Sequence, residues 1–235
     1  MDRPFVVCHI LISLDGKIDG AFFGAPETAP ALRAYGELRS FHNCQATVYG
    51  ATTMRELYAD GPAPKLPPCR EPQLPDWVDE AGRATGRFIV SLDPEGTLGF
   101  RAGSVARRGR PDAHIIEVLT ERADPACRAY LRGQGVSYLT AGADRIDCVL
   151  LLQKLRRLFG ISRVMVAGGG VTNGAFLAAG LLDELSLVVA PVADACAADV
   201  ALFEQTSAPA AFRLLEAKPL DGGALWLRYE RPVDL

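Results

Sequence analysis

The sequence predicts an α/β protein whose sheet is mostly parallel and ends in an antiparallel hairpin. About nine strands alternate with three or four helices, which is typical of parallel sheets connected by crossover helices. The clearest unit is 163–191, which has a buried strand, three glycines, a short helix and a second apolar strand. Phe212–Ala217 and Ala224–Glu230, joined around Asp221-Gly222-Gly223, predict the closing hairpin. We expect a single domain over residues 1–235 because no repeat or boundary interrupts this pattern.

The first strand and the turn after it suggest one end of a site. Phe5–Ile12 is an apolar run suited to a central strand covered on both faces. It leads directly into Ser13-Leu14-Asp15-Gly16-Lys17, so two charged side chains follow the carboxyl end of a central strand, where α/β proteins place ligands. The alternative is a solvated turn in which Gly16 supplies a positive φ.

A second strand and helix start follow the first predicted helix. Residues 29–42 predict a helix with Leu32, Tyr35, Leu38 and Phe41 on one face, and Asn43 can end it. Residues 46–49 predict a short strand, and Gly50 precedes the next helix. Thr52 or Thr53 either caps that helix or contacts a ligand.

The middle of the chain has two irregular segments. Residues 61–75 contain six prolines and predict a surface excursion, either a lid or an interface arm. Residues 101–110 hold four arginines and predict a solvated loop, with phosphate binding as the alternative. Predicted strands at 87–91, 114–119 and 136–139, with a helix at 125–132, surround these segments. Asp144 or Asp147 then opens a stronger helix over 146–159, which Gly160 closes.

The glycine turn at Gly168, Gly169 and Gly170 predicts an anion site. Glycines let the backbone approach a ligand, and the helix beyond them presents unpaired N–H groups. Asn173 is the predicted N-cap, and Gly180 ends the helix. The alternative is a tight strand-to-helix turn without a ligand.

Composition excludes several function classes. Apolar residues make up 49% and charged residues 23%, and the net charge is −3, which disfavours nucleic-acid binding. The six cysteines are scattered and no signal peptide precedes the first strand, which indicates a reducing, cytoplasmic setting. The three histidines have no metal-ligand spacing, so no metal site is expected.

Three motifs in order resemble the riboflavin-pathway pyrimidine reductases of the dihydrofolate-reductase-like superfamily. They are S-L-D-G-K-I, V-Y-G-A-T-T, and V-A-G-G-G-x-x-N-G-A-x-L-x-x-G-L-x-D-E-L before a strand ending A-P-V. The resemblance covers nearly the whole chain. It implies a three-layer αβα domain, a homodimer, and NADPH bound across the carboxyl ends of the strands.

The resemblance also implies site residues and a reaction. The residues expected to bind the cofactor are Ile12, Ser13, Leu14, Gly50, Thr53, Ser91, Gly168, Gly169, Gly170, Val171, Thr172, Asn173 and Gly174. Lys17 and Asp15 are the expected catalytic residues, with Lys17 binding or polarising an anionic substrate and Asp15 orienting Lys17 or relaying a proton. The implied reaction transfers a hydride from the nicotinamide to a small heterocyclic substrate, of the 5-amino-6-(5-phosphoribosylamino)uracil type.

One departure from the family pattern leaves the substrate open. The riboflavin enzymes typically have a glutamate immediately before the glycines, where this chain has Ala167. A reductase of the same fold with a different, pterin-like substrate is therefore an alternative. A dinucleotide-binding protein without turnover is a third hypothesis, which the charges of Asp15 and Lys17 disfavour.

Overall fold

The computed structural model describes residues 2–67, 75–107, 110–206 and 208–232. In chain order the strands and α-helices are β1 (Phe5–Ile12), α1 (Thr28–Phe41), β2 (Ala46–Gly50), α2 (Ala51–Leu57), α3 (Glu80–Arg83), β3 (Phe88–Leu92), β4 (Ser104–Arg107), β5 (Arg110–Leu119), α4 (Pro125–Gly133), β6 (Ser137–Thr140), α5 (Cys148–Phe159), β7 (Arg163–Val166), α6 (Gly170–Ala178), β8 (Glu184–Val189), β9 (Arg213–Pro219) and β10 (Leu225–Glu230). Short 3₁₀ turns cover Ala21–Gly24 and Asp221–Gly223.

The chain divides into two compact units. Unit 1 comprises Met1–Pro4 and Gln45–Ser162, and unit 2 comprises Phe5–Cys44 and Arg163–Leu235. Mostly parallel pairing and the antiparallel carboxyl-terminal hairpin confirm the predicted α/β class. The single domain over 1–235 stays a prediction.

Unit 1 is built on parallel strands β2, β3 and β5. Strand β5 is ten residues long and also pairs in parallel with β6 through its carboxyl-terminal half. Its first half pairs antiparallel with β4, a strand that the arginine-rich segment was not expected to form. The loop prediction for 101–110 was wrong at this point because the pairing edge of β5, rather than local sequence, defines β4.

Unit 2 has the strand order β7-β1-β8-β10-β9. Strand β1 lies in parallel between β7 and β8, which explains why its last seven residues are buried and why its sequence is apolar except for His9. Strands β9 and β10 form the predicted antiparallel hairpin. Leu11, Phe22, Val188 and Trp226 belong to the apolar cluster that packs this unit together.

Helix α1 forms where expected but buries a different face. Ala31 is buried, and Tyr35 and Leu38 are half-buried, whereas Leu32 and Phe41 are 45% and 57% exposed. The core therefore covers only the middle of the face that carries Leu32, Tyr35, Leu38 and Phe41. The core next to this helix accepts the small side chain of Ala31 rather than that of Leu32, which the 3.6-residue period alone does not reveal.

The two ends of helix α5 lie at the capping residues that the sequence predicts. Asp147 caps α5 by accepting hydrogen bonds from the amides of Val149 (2.9 Å) and Leu150 (3.0 Å), and Gly160 ends it with a φ of +67°. Both ends agree with the sequence prediction. Helix α2 differs, because Gly50 is its N-cap residue and neither predicted threonine caps it.

The proline-rich segment is anchored on unit 1 where the structure describes it. The amide of Ala63 donates to the carbonyl of Thr97 (2.7 Å), and beyond the segment Trp77 pairs with Tyr138 through two backbone hydrogen bonds of 3.0 Å. Residues 68–74, which are the later part of the predicted lid or interface arm, lie outside the described residues.

Candidate active site

The turn after β1 is closed by its own polar side chains. Ser13 is fully buried; its hydroxyl donates to Asp15 Oδ1 (2.6 Å) and accepts from the amide of Lys17 (2.9 Å). Asp15 also accepts from the amides of Asp194 and Ala195, both at 2.9 Å. The Ser13 hydroxyl and these two amides lower the pKa of Asp15, so the carboxylate is ionised.

Lys17 bonds to the same distant segment as Asp15. Its ammonium donates to the backbone carbonyls of Asp199 (2.7 Å) and Ala197 (3.1 Å). An ammonium has three hydrogens, so one remains for another acceptor. Asp15 and Lys17 thus lie in one turn, as predicted, but each bonds to residues 194–199 rather than to the other.

Of the other predicted residues in this turn, Ile12 is buried at the end of β1 and Leu14 is 63% exposed.

Helix α6 starts at the glycine turn, four residues earlier than a cap at Asn173 would require. Gly169 is the N-cap residue, and the amide of Asn173 makes the first bond of the helix to its carbonyl (3.0 Å). The predicted cap at Asn173 was wrong, because its fully buried side chain donates to the carbonyl of Leu202 (3.1 Å) instead. The amides of Gly170, Val171 and Thr172 consequently point out of the helix start without a helical acceptor.

The glycines of this turn have two different roles. A Cβ atom on Gly168 would lie 2.8 Å from Thr172, one on Gly170 would lie 2.5 Å from the carbonyl oxygen of Ala201, and one on Gly174 would overlap the carbonyl of Glu204. These three glycines are needed for packing within the protein. A Cβ atom on Gly169 would meet nothing within 4 Å, so its backbone faces open space beside the free amides.

A segment that sequence reasoning did not single out brings the turn and the glycines together. We call Asp194–Glu204 the strap. Residues 16–18 pair with it: the amide of Ile18 donates to Val200 (2.9 Å), and the amide of Leu202 donates to Gly16 (3.1 Å). At its far end the amide of Glu204 donates to the carbonyl of Gly170 (3.0 Å). Its alanine-rich sequence carries no signal of this role.

The remaining predicted cofactor residues belong to unit 1. Gly50 ends β2 and starts α2, Thr53 is half-buried in the first turn of α2, and Ser91 lies in β3. Ser91 is fully buried, so its hydroxyl does not reach the surface. Cofactor contacts by these residues stay a prediction.

Ser91 belongs to a buried polar row that sequence reasoning missed. Ser91, Glu117 and Tyr138 are paired across β3, β5 and β6, and all three are completely buried. Neither carboxyl oxygen of Glu117 has a hydrogen-bond donor among the described residues. Burial, and then the neighbouring charge of Asp93, raise the pKa of Glu117 well above its ordinary value, so this side chain is a neutral acid.

Two other features lie outside the predicted cofactor residues. Asp194, Cys196 and Asp199 bring one potential ligand atom each within 4.8 Å of one another on the strap. A cavity of 350 Å³ lies at the carboxyl end of α6, lined by Leu177, Ala178, Thr206, Ala208, Pro209, Ala210, Ala211, Arg231 and Pro232. It is therefore at the opposite end of this helix from the glycine turn.

No helix in the described ranges is long and apolar enough to cross a membrane.

A parallel α/β fold with a glycine turn at a helix start is typical of proteins that bind a dinucleotide or another phosphate-bearing ligand. The comparison with known families agrees and is more specific. Residues 4–225 match the RibD C-terminal domain family, and the chain belongs to that family.

Its relatives include a characterised reductase. The chain is 31% identical over 201 residues to the 2,5-diamino-6-ribosylamino-4(3H)-pyrimidinone 5′-phosphate reductase of Methanothermobacter thermautotrophicus, covering 81% of this chain and 79% of the relative. The chain is thus an oxidoreductase of the riboflavin-pathway pyrimidine reductase family, as the sequence motifs predicted. This reaction type implies a nicotinamide cofactor.

Solved structures support the fold. A pyrimidine reductase-like protein from Corynebacterium diphtheriae superposes with a TM-score of 0.68 at 18% identity, covering 98% of this chain and 93% of the other. The deaminase/5-amino-6-(5-phosphoribosylamino)uracil reductase of Thermotoga maritima superposes with a TM-score of 0.61 at 22% identity. The alignment covers 98% of this chain and 57% of that longer protein.

Proposed function

We propose that this protein is an NADPH-dependent reductase that acts on a ribosylamino-pyrimidine 5′-phosphate of riboflavin biosynthesis. The observation that carries the proposal is the family match over residues 4–225, together with the open backbone at Gly169 beside three free amides. The reaction is of the 5-amino-6-(5-phosphoribosylamino)uracil reductase type.

The residues of the glycine turn fit the phosphates of a dinucleotide. The amides of Gly170, Val171 and Thr172 present donors and the positive end of the α6 dipole, and Gly169 leaves space for a close approach. Val171 and Leu14 are 48% and 63% exposed and provide apolar surface near this turn and the Ser13–Lys17 turn. The bound cofactor supplies a hydride for the substrate carbon.

At the substrate end we assign Lys17 to bind an anionic group. Its ammonium is fixed by two carbonyl acceptors and retains one hydrogen for a substrate phosphate or for an oxygen that gains charge. Asp15 holds the turn in place through its bonds to Ser13, Asp194 and Ala195. Because Asp15 is ionised and accepts three hydrogen bonds, its geometry favours a positioning role over a proton relay.

Ala167 favours a second candidate, a reductase of the same fold with a different heterocyclic substrate. This residue is half-exposed directly after β7 and offers no polar side-chain atom to hold a substrate hydroxyl. Alanine at this position suits a substrate that is recognised here by its shape rather than by a hydrogen bond to a carboxylate.

A homodimer is part of the proposal, and unit 2 has a surface that suits one. Strand β9 is the edge of its sheet, with Leu214 51% and Leu215 42% exposed. An exposed apolar edge strand is a ready surface for pairing with a second chain. We also propose a cytoplasmic location, because the substrates of this family are soluble metabolites and the cysteines described by the structure are free thiols.

The proposal is tested by binding first and turnover second. Titration with NADPH and NADH, followed by nicotinamide fluorescence, measures cofactor binding and preference. Oxidation of the bound cofactor is then followed with the 2,5-diamino-pyrimidinone substrate and with its deaminated uracil counterpart. Turnover of either substrate supports the proposal, whereas binding without turnover of either favours the second candidate. Absence of binding to both nucleotides would contradict the reductase assignment.

A further inference from the structure

The strap, Asp194–Glu204, contacts both halves of the candidate site within unit 2. It follows β8, has no regular secondary structure over most of its length, and makes hydrogen bonds to the Ser13–Lys17 turn at one end and to the start of α6 at the other. Its contacts with the two halves are different in kind and are considered separately.

At the turn, side chains hold the strap. Asp15 accepts from the amides of Asp194 and Ala195, and Lys17 donates to the carbonyls of Ala197 and Asp199. A carboxylate that accepts two consecutive amides and an ammonium that donates to two carbonyls fix the strap backbone over six residues. Charge-assisted hydrogen bonds of this kind are stronger than neutral ones.

At the glycine turn, close packing holds the strap. Side-chain atoms of Glu204 lie 2.7 and 2.9 Å from the position of a Cβ atom on Gly170, and the carbonyl of Glu204 occupies the space beside Gly174. Asn173, fully buried in α6, donates to Leu202 (3.1 Å). Any displacement of residues 202–204 therefore changes the surroundings of the α6 amino terminus.

The strap is also braced internally. The amide of Asp199 donates to the carbonyl of Cys196 (3.3 Å), and the neighbouring Asp194 carboxyl group raises the pKa of Asp199. Asp194 Oδ2 accepts from the amide of Phe22 (2.9 Å), and Gly20 leaves no room for a Cβ atom beside both carboxylates. We therefore expect a displacement of one end of the strap to be transmitted to its other end.

We propose that Asp15 and Lys17 act as positioning residues for the cofactor site: through the strap they set the geometry of the glycine turn at the start of α6. The predicted effect on cofactor affinity rests on the proposed function, whereas the mechanical link from Asp15 and Lys17 through the strap to the start of α6 does not. A residue that served only the substrate would leave cofactor affinity and the α6 start unchanged.

The first measurement is hydrogen exchange of single amides in the free protein, observed by NMR. Asp15→Asn removes an acceptor from the strap without changing side-chain size. We expect the amides of Leu202 and Glu204, and that of Asn173 in α6, to exchange at least about fivefold faster than in the wild type. Asp19→Asn is the matched control, because it makes the same charge change in an exposed residue whose side chain, among the described residues, bonds only the adjacent Gly20 amide.

The second measurement is the dissociation constant for NADPH. We expect Asp15→Asn and Lys17→Met to raise it by about 2- to 30-fold, the range typical of coupling through packed networks, with the melting temperature nearly unchanged. Gly20→Ala disturbs Asp194 and Asp199 without altering Asp15 or Lys17, so it should also raise the dissociation constant, while its φ of +131° adds backbone strain that lowers the melting temperature. In steady-state kinetics the KM for NADPH should rise in all three variants.

The outcomes separate the link from the function. Unchanged exchange at Leu202, Glu204 and Asn173 in Asp15→Asn and Gly20→Ala would overturn the proposal. Faster exchange at these amides together with weaker NADPH binding supports it in full. Faster exchange in a protein that binds no nicotinamide nucleotide would support the mechanical link and contradict the proposed function.

Discussion

The ammonium group of Lys17 donates a 2.7 Å hydrogen bond to the backbone carbonyl of Asp199, which is 182 positions further along the chain. This bond joins a residue of the turn after the first strand to a segment that follows the last parallel strand. Lys17 is therefore held in a defined position before any substrate arrives. A fixed ammonium loses less freedom on binding a ligand than a mobile surface lysine does.

Gly169 provides the sharpest test of the nucleotide site. Gly169→Leu should lower NADPH affinity by more than tenfold and leave folding intact, because its φ of −67° suits any residue and its Cβ atom would project into open space. Fluorescence titration and thermal unfolding measure the two effects. Gly24→Leu, also on an open surface of unit 2, is the control for added bulk. Undiminished affinity in Gly169→Leu would exclude this turn as the cofactor site.

A substitution at Gly174 should lower stability, whereas one at Gly169 should lower cofactor affinity and leave folding intact. Gly174→Ala places a methyl group against the carbonyl of Glu204 and should lower the free energy of unfolding by about 1–3 kcal/mol, as overpacking does. Urea unfolding measures it, with Gly169→Ala as the matched variant. Equal stability of the two alanine variants would show that the strap does not pack on α6.

Ala195 is in the left-handed backbone region, with a φ of +64°. Because a side chain is strained in this conformation and glycine is not, Ala195→Gly should raise the free energy of unfolding by about 0.5–1 kcal/mol. Ala198→Gly, in the same strap without positive φ, should lower stability instead. Chemical denaturation of both variants decides the point, and a loss of stability in Ala195→Gly would contradict it.

Glu117 should make the folded protein less stable as the pH rises. Its folded pKa is raised, so its favourable contribution is complete below the unfolded value of about 4.3 and is lost as pH rises through the folded pKa. The nearby charge of Asp93 adds to this effect. Glu117→Gln, which stays neutral, should be more stable than the wild type at pH 8 and nearly equal at pH 4.

Denaturant midpoints across this pH range test the prediction. The exposed Glu56→Gln is the control for removing a carboxylate from unit 1. Parallel pH profiles for the wild type and Glu117→Gln would mean that Glu117 is ionised in the folded protein. An infrared band of a protonated carboxyl group, present in the wild type and absent in Glu117→Gln, would confirm the neutral acid directly.

The network of Ser186 with two buried histidines should make the folded protein less stable at acidic pH. Its hydroxyl lies 3.0 Å from His9 Nδ1, 3.1 Å from His42 Nε2 and 2.9 Å from Trp226 Nε1. His9 Nε2 lies 3.0 Å from the carbonyl of Tyr35, to which it donates, so His9 Nδ1 accepts from Ser186. This arrangement requires His9 to be neutral, and burial lowers the pKa of His9 to about 3 and that of His42 to about 4.

The contribution of His9 and His42 to stability should therefore rise with pH between about 4 and the ordinary histidine pKa of 6.5, because these two side chains bind more protons in the unfolded chain within this window. Ser186→Ala leaves buried donors without partners and should lower the free energy of unfolding by about 2 kcal/mol or more at pH 7. Ser40→Ala, exposed on α1, is the control. Nitrogen chemical shifts showing His9 protonated at pH 6 would contradict the network.

The sequence by itself determined the elements whose cause is local. The apolar run of β1, the cap of α5 at Asp147, the left-handed Gly160 and the closing hairpin all follow from patterns within a few residues. The order and spacing of three motifs were enough to identify the family that the comparison confirmed. These features are readable because each depends on neighbours in the chain.

Only the tertiary structure decided the features that depend on distant partners. Strand β4 forms because β5 offers an edge, Asn173 is drawn from its expected cap by the carbonyl of Leu202, and Glu117 is neutral because strands on both sides exclude water. The strap is the clearest case, since Asp194–Glu204 carries no recognisable pattern. Its position follows from hydrogen bonds between residues about 180 positions apart, and no local property of the sequence encodes such a pairing.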